Sequence, residues 1–368
     1  MKKQLQIFFD FLRFCIGSAD EIPSSLKEAD WKELYRIAQK QCIVGVLFDG
    51  IKKLPAEHVE MEKELLLRWM AESQMLEKAN VRLNDAAIQV SEWFRKKGFR
   101  TCILKGQGNA LMYPNPDSRT PGDIDIWVEG GDKWVISFVR SISPHEKACY
   151  HHIEFPSYKG VEVEVHYRPS FLLCFWHNRR LQKYYERVKE EQFSHRVKLG
   201  EQGEIAIPTV EFNLIFQLTH IYAHLMNEGI GLRQLVDYYY VLISDDLLLI
   251  RDRVQKELKE LGLWKFAGGI MYIMQEVFGM SASRLIVPPN EKYGKFVLNE
   301  VLEAGNFGKH DARNRFGSSQ LGHNLQRVYR DMRLVRYFPA EALCEPLFRI
   351  WHFFWRLKHR RQSLGVFS

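Results

Sequence analysis

The chain is 368 residues long, 46% hydrophobic and 26% charged. That composition excludes a disordered, collagen-like or membrane-embedded protein and suits a globular one of two or three units. The formal charge of +7 is uneven: residues 305–368 hold 12 Lys and Arg against 4 Asp and Glu, whereas residues 1–304 hold 40 against 41. The basic excess in the last sixth suits nucleic acid, a triphosphate or an acidic surface, or equally a solvated helical face.

Met1-Lys2-Lys3 precedes an apolar run, as in a signal peptide, but Gln4, Gln6, Asp10 and Arg13 interrupt it. Ile7, Phe8, Phe11 and Leu12 recur at helical spacing, which predicts an amphipathic helix instead. Residues 1–97 read as helical throughout, with a capping-box-like start at Ser24 to Glu28. The stretch 57–97 has no Pro or Gly and ends in Arg95-Lys96-Lys97-Gly98, a good helix C-terminus. The texture then changes. A short β-prone run over 99–104 stops at Lys105-Gly106, and 107–113 reads as a short helix closed by Pro114 and Pro116. Residues 119–122 form a loop, 123–128 a second strand, 134–142 a helix, and 148–155 and 161–167 two further strands. From Pro169 onward helices dominate, over 171–192, 211–228, 232–243 and 251–278, with a hairpin at 197–208. A polar, glycine-containing stretch at 305–322 reads as a loop suited to movement. A basic helix over 325–337 and a Trp/Phe-rich helix over 346–361 follow. No run reaches the ~18 apolar residues of a membrane span. The six cysteines form no CxxC pair and lie mostly among apolar neighbours, as in reduced thiols of a cytoplasmic protein. The fold class expected is α+β: a small mixed sheet at 98–170 between a helical segment, 1–97, and a helical C-terminal domain, 171–368, with a basic tail.

The chemistry concentrates in Arg119-Thr120-Pro121-Gly122-Asp123-Ile124-Asp125-Ile126-Trp127-Val128. Strand side chains alternate faces, so Asp123 and Asp125 emerge together while Ile124, Ile126 and Val128 enter the core. Two carboxylates that close repel each other unless a cation lies between them, and oxygen-only ligands favour Mg²⁺ or Mn²⁺. In Val161-Glu162-Val163-Glu164-Val165-His166-Tyr167-Arg168 the same alternation puts Glu162, Glu164, His166 and Arg168 on one face. A half-exposed antiparallel strand shows this pattern too. Beside the two aspartates, Glu164, nearer the strand centre than Glu162, is the candidate third carboxylate for two-metal phosphoryl transfer.

Lys105-Gly106 after a first strand, a helix ending in Tyr113-Pro114, the Arg119-to-Val128 segment and the later Glu164-Val165-His166-Tyr167-Arg168 strand together resemble the DNA polymerase β-like nucleotidyltransferase superfamily. More narrowly they resemble an uncharacterised bacterial nucleotidyltransferase family marked by Leu-Lys-Gly and Asp-x-Asp, and Leu218-Thr219-His220, His224 and Gly231 to Asp237 are similar to its helical portion. The resemblance implies that Asp123 and Asp125 bind both metals and Glu164 completes the catalytic site. An acceptor hydroxyl would attack the α-phosphorus of a nucleoside triphosphate such as ATP, and pyrophosphate would leave. The chain departs from the superfamily at Lys105-Gly106-Gln107-Gly108, where Gly-Ser is usual; backbone N–H groups and the Lys105 ammonium could hold phosphate there. His166 is expected on the substrate side. Arg119 suits a phosphate clamp or a loop-ordering salt bridge. The acceptor, whether small molecule, protein or RNA, has no signature.

Other features carry two readings each. His220 and His224 share a helix face and could hold zinc, but a hydrogen-bond network with Arg233 and Asp237 is the reading favoured. His151 and His152 on one strand would point to opposite faces, so at most one would reach the acids. Arg327, Arg330, Arg333 and Arg336 form a stripe along one side of a helix, either a clamp or, by a small margin, a face turned to water. Two functions of other classes compete with nucleotidyl transfer: a degenerate binding or regulatory protein, and a metal-dependent phosphoesterase.

Overall fold

The computed structural model describes residues 2–201, 203–308, 311, 313 and 320–361. Three helices open the chain: α1 (Lys2–Ile16), α2 (Trp31–Lys40) and α3 (Val44–Lys53). The apolar stripe of α1 is buried as its spacing predicts, with Phe8, Phe11 and Leu12 fully enclosed. Asp30 caps α2 by accepting N–H bonds from Lys32 and Glu33. The helical texture next gives α4 (Lys63–Lys96), 34 residues stopped where Gly98 takes φ +88°. This helix links two hydrophobic clusters. Its first half gives Leu65 and Trp69 to a large, mostly helical cluster, and its second half gives Leu83, Ile88 and Phe94 to a smaller one beneath the sheet. Trp69 is wholly buried, and its indole N–H finds the Val44 carbonyl at 3.0 Å.

The sheet segment follows: β1 (Thr101–Ile103), α5 (Gln107–Ala110), β2 (Ile124–Val128), α6 (Gly131–Ile142), β3 (His152–Tyr158) and β4 (Val161–His166). The strands lie in the order β1-β2-β4-β3, with β2 and β4 parallel and both outer pairs antiparallel. The two inner strands carry the buried valines and isoleucines, which pack on α4 and α6. The outermost strand β3 contains Pro156, at the register shift between Phe155 and Tyr158, where the missing N–H costs no ladder bond.

Beyond the sheet come α7 (Phe175–Ser194), the hairpin of β5 (Arg196–Leu199) and β6 (Gly203–Ala206), then α8 (Val210–Asn227), α9 (Leu232–Leu242), α10 (Leu247–Glu260), α11 (Trp264–Glu276), α12 (Glu291–Ala304), α13 (Gln320–Leu334) and α14 (Pro339–Arg361). The α+β class is as expected. Several boundaries differ: β3 runs His152–Tyr158 rather than 148–155, α13 runs Gln320–Leu334 rather than 325–337, and the expected 251–278 helix is two, α10 and α11. The helix after β1 is one turn, not seven residues, and α14 starts at Pro339 with Pro346 inside it. Proline suits the first helical turn, so Pro339 is the start signal and Pro346 an interruption tolerated within it. Half of the expected loop at 305–322 lies outside the described residues.

The first and last helices share one core. Arg13 donates to the Val277 carbonyl at 3.1 Å, and buried Gln41 donates to the Val301 carbonyl at 3.2 Å while accepting from the Leu232 N–H at 2.8 Å. Phe348 of α14 stacks on Phe171 and meets Tyr150 edge-on, so the last helix closes over the open face of the sheet segment. Among the described residues no helix is long and apolar enough to cross a membrane. All six cysteines are unbridged.

Candidate active site

Alternation along β2 decides what Asp125 meets. Ile124, Ile126 and Val128 enter the cluster under α4, whereas Asp125 and Trp127 face the α7–α8 side, where Trp127 packs on Phe193 and Phe212. Asp125 is therefore a buried carboxylate, 3% exposed. Burial alone would raise its pKa, but Lys105 and His166 more than offset that and hold it well below the usual carboxylate range. The Lys105 ammonium lies 2.8 Å from Asp125 Oδ1, and His166 Nε2 lies 2.9 Å from the same oxygen.

Parallel pairing puts Glu164 of β4 directly beside Asp125. Asp123 sits one residue before β2. Oxygens of Asp123, Asp125 and Glu164 all lie within 4.8 Å of one another. Repulsion from Asp125, then burial, pushes the Asp123 carboxyl up to about 6 despite nearby Lys105. The negative charge of the trio is thus only partly balanced by the chain's own cations. Three convergent oxygen donors with residual negative charge fit a hard divalent cation. Glu162, on the same alternation, is exposed and lies outside this cluster.

Lys105 ends the turn after β1, and Gly106 takes φ +54°. An added Cβ there would come no closer than 3.6 Å to the Asp123 carbonyl oxygen, so backbone conformation rather than crowding calls for glycine. Burial pulls the Lys105 pKa down, but Asp125 and Asp123 more than compensate, and the net shift is upward. Its ammonium is also 3.5 Å from His220 Nε2. His220 thus joins this site rather than a network with Arg233 and Asp237, and burial followed by the Lys105 charge keeps it neutral.

His166 bridges two acids, with Nε2 also 3.4 Å from Glu164 Oε2. Burial opposes its protonation, yet the bonds to Asp125 and Glu164 raise its pKa to about 9. The two preceding histidines depart from expectation. Strand β3 begins at His152, so His151 lies before it and strand alternation does not separate the pair. His152 Nδ1 is 3.3 Å from Glu164 Oε2 and 3.1 Å from His151 Nε2, and both rings line the same cavity.

Arg119 forms a bidentate pair with Asp237, with Nε and Nη2 each 2.8 Å from a carboxylate oxygen. Both partners are buried, and Asp237 also accepts from Tyr113 and Asn109. This is the geometry of the loop-ordering salt bridge, tying the segment before Asp123 to α9. The arginine stripe of α13 divides. Arg327 lines the cavity, while Arg330 donates to the Glu228 carbonyl and Arg333 pairs with Glu300, so neither of those two simply faces water.

The cavity over the carboxylates has a volume of about 600 Å³. Its far wall comes from α14 through Glu345, Phe348, Arg349 and His352, residues that sequence reading did not assign to a site. Only the aromatic and basic richness of that helix hinted at such a role.

No curated protein and no solved structure matches the chain. The family described as uncharacterised nucleotidyltransferase matches residues 27–279, a span holding Lys105, the three carboxylates, His166 and His220. With more than half of its length matched, the chain belongs to this uncharacterised nucleotidyltransferase family.

Proposed function

We propose that the protein transfers a nucleoside monophosphate from a nucleoside triphosphate to an acceptor hydroxyl, as in the DNA polymerase β-like superfamily. The observation that carries this reading is the convergence of Asp123, Asp125 and Glu164 oxygens within 4.8 Å. These three would hold Mg²⁺ or Mn²⁺, which when bound neutralises phosphate charge and acidifies a nearby hydroxyl. Glu164, its side chain 33% exposed toward the cavity, draws the acceptor proton. The acceptor oxygen bonds to the α-phosphorus, the bond to the β-phosphate oxygen breaks, and pyrophosphate departs. Lys105 and the Gly106 turn are assigned to the phosphates. His166 holds Asp125 and Glu164 in register, and Arg119 steadies the loop that carries Asp123. The test is transfer of label from α-labelled nucleoside triphosphates into a cell extract by wild type and by Asp125→Asn. Labelling by wild type alone supports transfer; equal labelling by both removes it.

One observation favours a second reading, a regulatory protein with a degenerate site. Asp125 Oδ1 already has two cationic partners within 2.9 Å, so its charge is met without a metal. Calorimetry with Mg²⁺ and each triphosphate separates the two, since a degenerate site binds neither.

A further inference from the structure

A second cluster of metal-ligating side chains lies away from the carboxylates, where α14 meets the start of α7. Cys174 is the N-cap residue just before α7, and His177 follows three positions later in its first turn. Glu341 and Cys344 are likewise three apart on α14. Residues three apart on a helix share a face, so Glu341 and Cys344 project together from α14 toward the capping residue and first turn of α7. Ligand atoms of Cys174, His177 and Glu341 lie within 4.8 Å of one another, and Cys344, one turn along α14 from Glu341, neighbours Cys174 just outside that group.

We propose that Cys174, His177, Glu341 and Cys344 bind one zinc ion, a structural site that clamps α14 to the head of α7. Zinc binds thiolate, imidazole and carboxylate donors, and a closed set of four is the mark of its structural sites. Tetrahedral bonds of about 2.0–2.3 Å put ligand atoms roughly 3.3–3.8 Å apart, a small contraction for Cys174, His177 and Glu341, with the Cys344 thiol turning in to complete the set. The carboxylate is already oriented. Glu341 Oε2 accepts the backbone N–H groups of Leu173 and Cys174, which leaves Oε1, 3.3 Å from His177 Nδ1, to face the cluster. Such outer hydrogen bonds are the usual means of fixing a ligand. The His177 ring lies against Gly262, where an added Cβ would overlap it, so a glycine makes room for the imidazole. Binding Zn²⁺ releases the two thiol protons. The resulting net charge of −1 lies at the N-terminus of a 20-residue helix, where negative charge is favoured.

The clamp joins two stretches of cavity wall. Ser170, Phe171 and Leu173 precede Cys174, and Phe348 and Arg349 follow Cys344 by about one turn. Zinc here would hold the cavity closed on the side opposite the carboxylates without touching them.

The test uses full-length protein stripped with a chelator and titrated with Co²⁺, then Zn²⁺, under reducing conditions. The expected result is a thiolate-to-cobalt charge-transfer band that saturates at one equivalent and is abolished by Zn²⁺. Cys174→Ser and Cys344→Ser should each remove most of the band, while Cys149→Ser and Asp125→Asn keep it. Absence of the band in wild type overturns the proposal whatever the variants do. So does a band that survives the Cys174→Ser/Cys344→Ser pair, or a Cys174–Cys344 disulfide that persists under reduction. Because the readout is spectroscopic, it stands or fails separately from nucleotidyl transfer.

Discussion

Replacing Asp237 with Ala should cost the protein about 3–5 kcal/mol, because it leaves Arg119 charged and unpaired where its side chain is only 5% exposed. The lost contacts are two bonds of 2.8 Å to Arg119, one of 2.6 Å to Tyr113 and one of 3.2 Å to Asn109. An unfolding entropy of about 2.1 cal/mol/K per residue gives roughly 0.8 kcal/mol/K for 368 residues. The expected fall in Tm is therefore about 4–6 °C, read by circular dichroism at fixed pH and protein concentration. Removing both charges in Arg119→Met/Asp237→Leu should recover much of it, since apolar side chains of similar volume can replace a buried ion pair at little cost. A different pattern refutes the reasoning: Tm within 1 °C of wild type for Asp237→Ala, together with a tenfold loss of triphosphate binding in Arg119→Met. Arg119 would then be a phosphate clamp.

Two further outcomes are expected. In metal-free protein, His166 has its pKa raised from 6.5 to about 9, so its stabilising contribution is complete below pH 6.5 and fades as pH rises through 9. The stability gap between wild type and His166→Gln, from urea unfolding, should shrink over that window; a gap constant from pH 6 to 10 would contradict it. On α3, a Cβ at Gly45 would overlap the Ser118 carbonyl oxygen, immediately before Arg119. Gly45→Ala should destabilise by about 1–3 kcal/mol through overpacking and displace the loop leading to Asp123. An unchanged Tm in thermal unfolding would mean the loop yields freely.

Asp125 and Glu164 of the carboxylate trio were legible in the sequence because they rest on a strict period, with Asp123 just ahead of it. Asp125 and Glu164 each occupy alternate positions of apolar strands, and the strand pairing then sets them side by side. What failed to show was set by partners distant in the chain. Arg330 and Arg333 look like a solvated stripe until the Glu228 carbonyl and Glu300 are known to lie beneath them. His151 and His152 seemed divided by alternation, but one residue at the strand boundary removes His151 from the rule. The start of α14 was misread because Pro346 is a stronger breaker on paper than Pro339 is a starter. The cavity wall on that helix depends on Phe348 stacking against Phe171, a contact with no local signature.

The bond from Arg13 to the Val277 carbonyl spans 264 residues. At synthesis rates of about 5–20 residues per second, a nascent α1 waits roughly 13–50 seconds for its partner to emerge. Phe11 does not wait with it: it meets Trp31 of α2 and lies against Gly50 of α3, both made soon after α1. What waits is therefore the docking of the opening helices onto the end of α11, not the covering of their own apolar stripe.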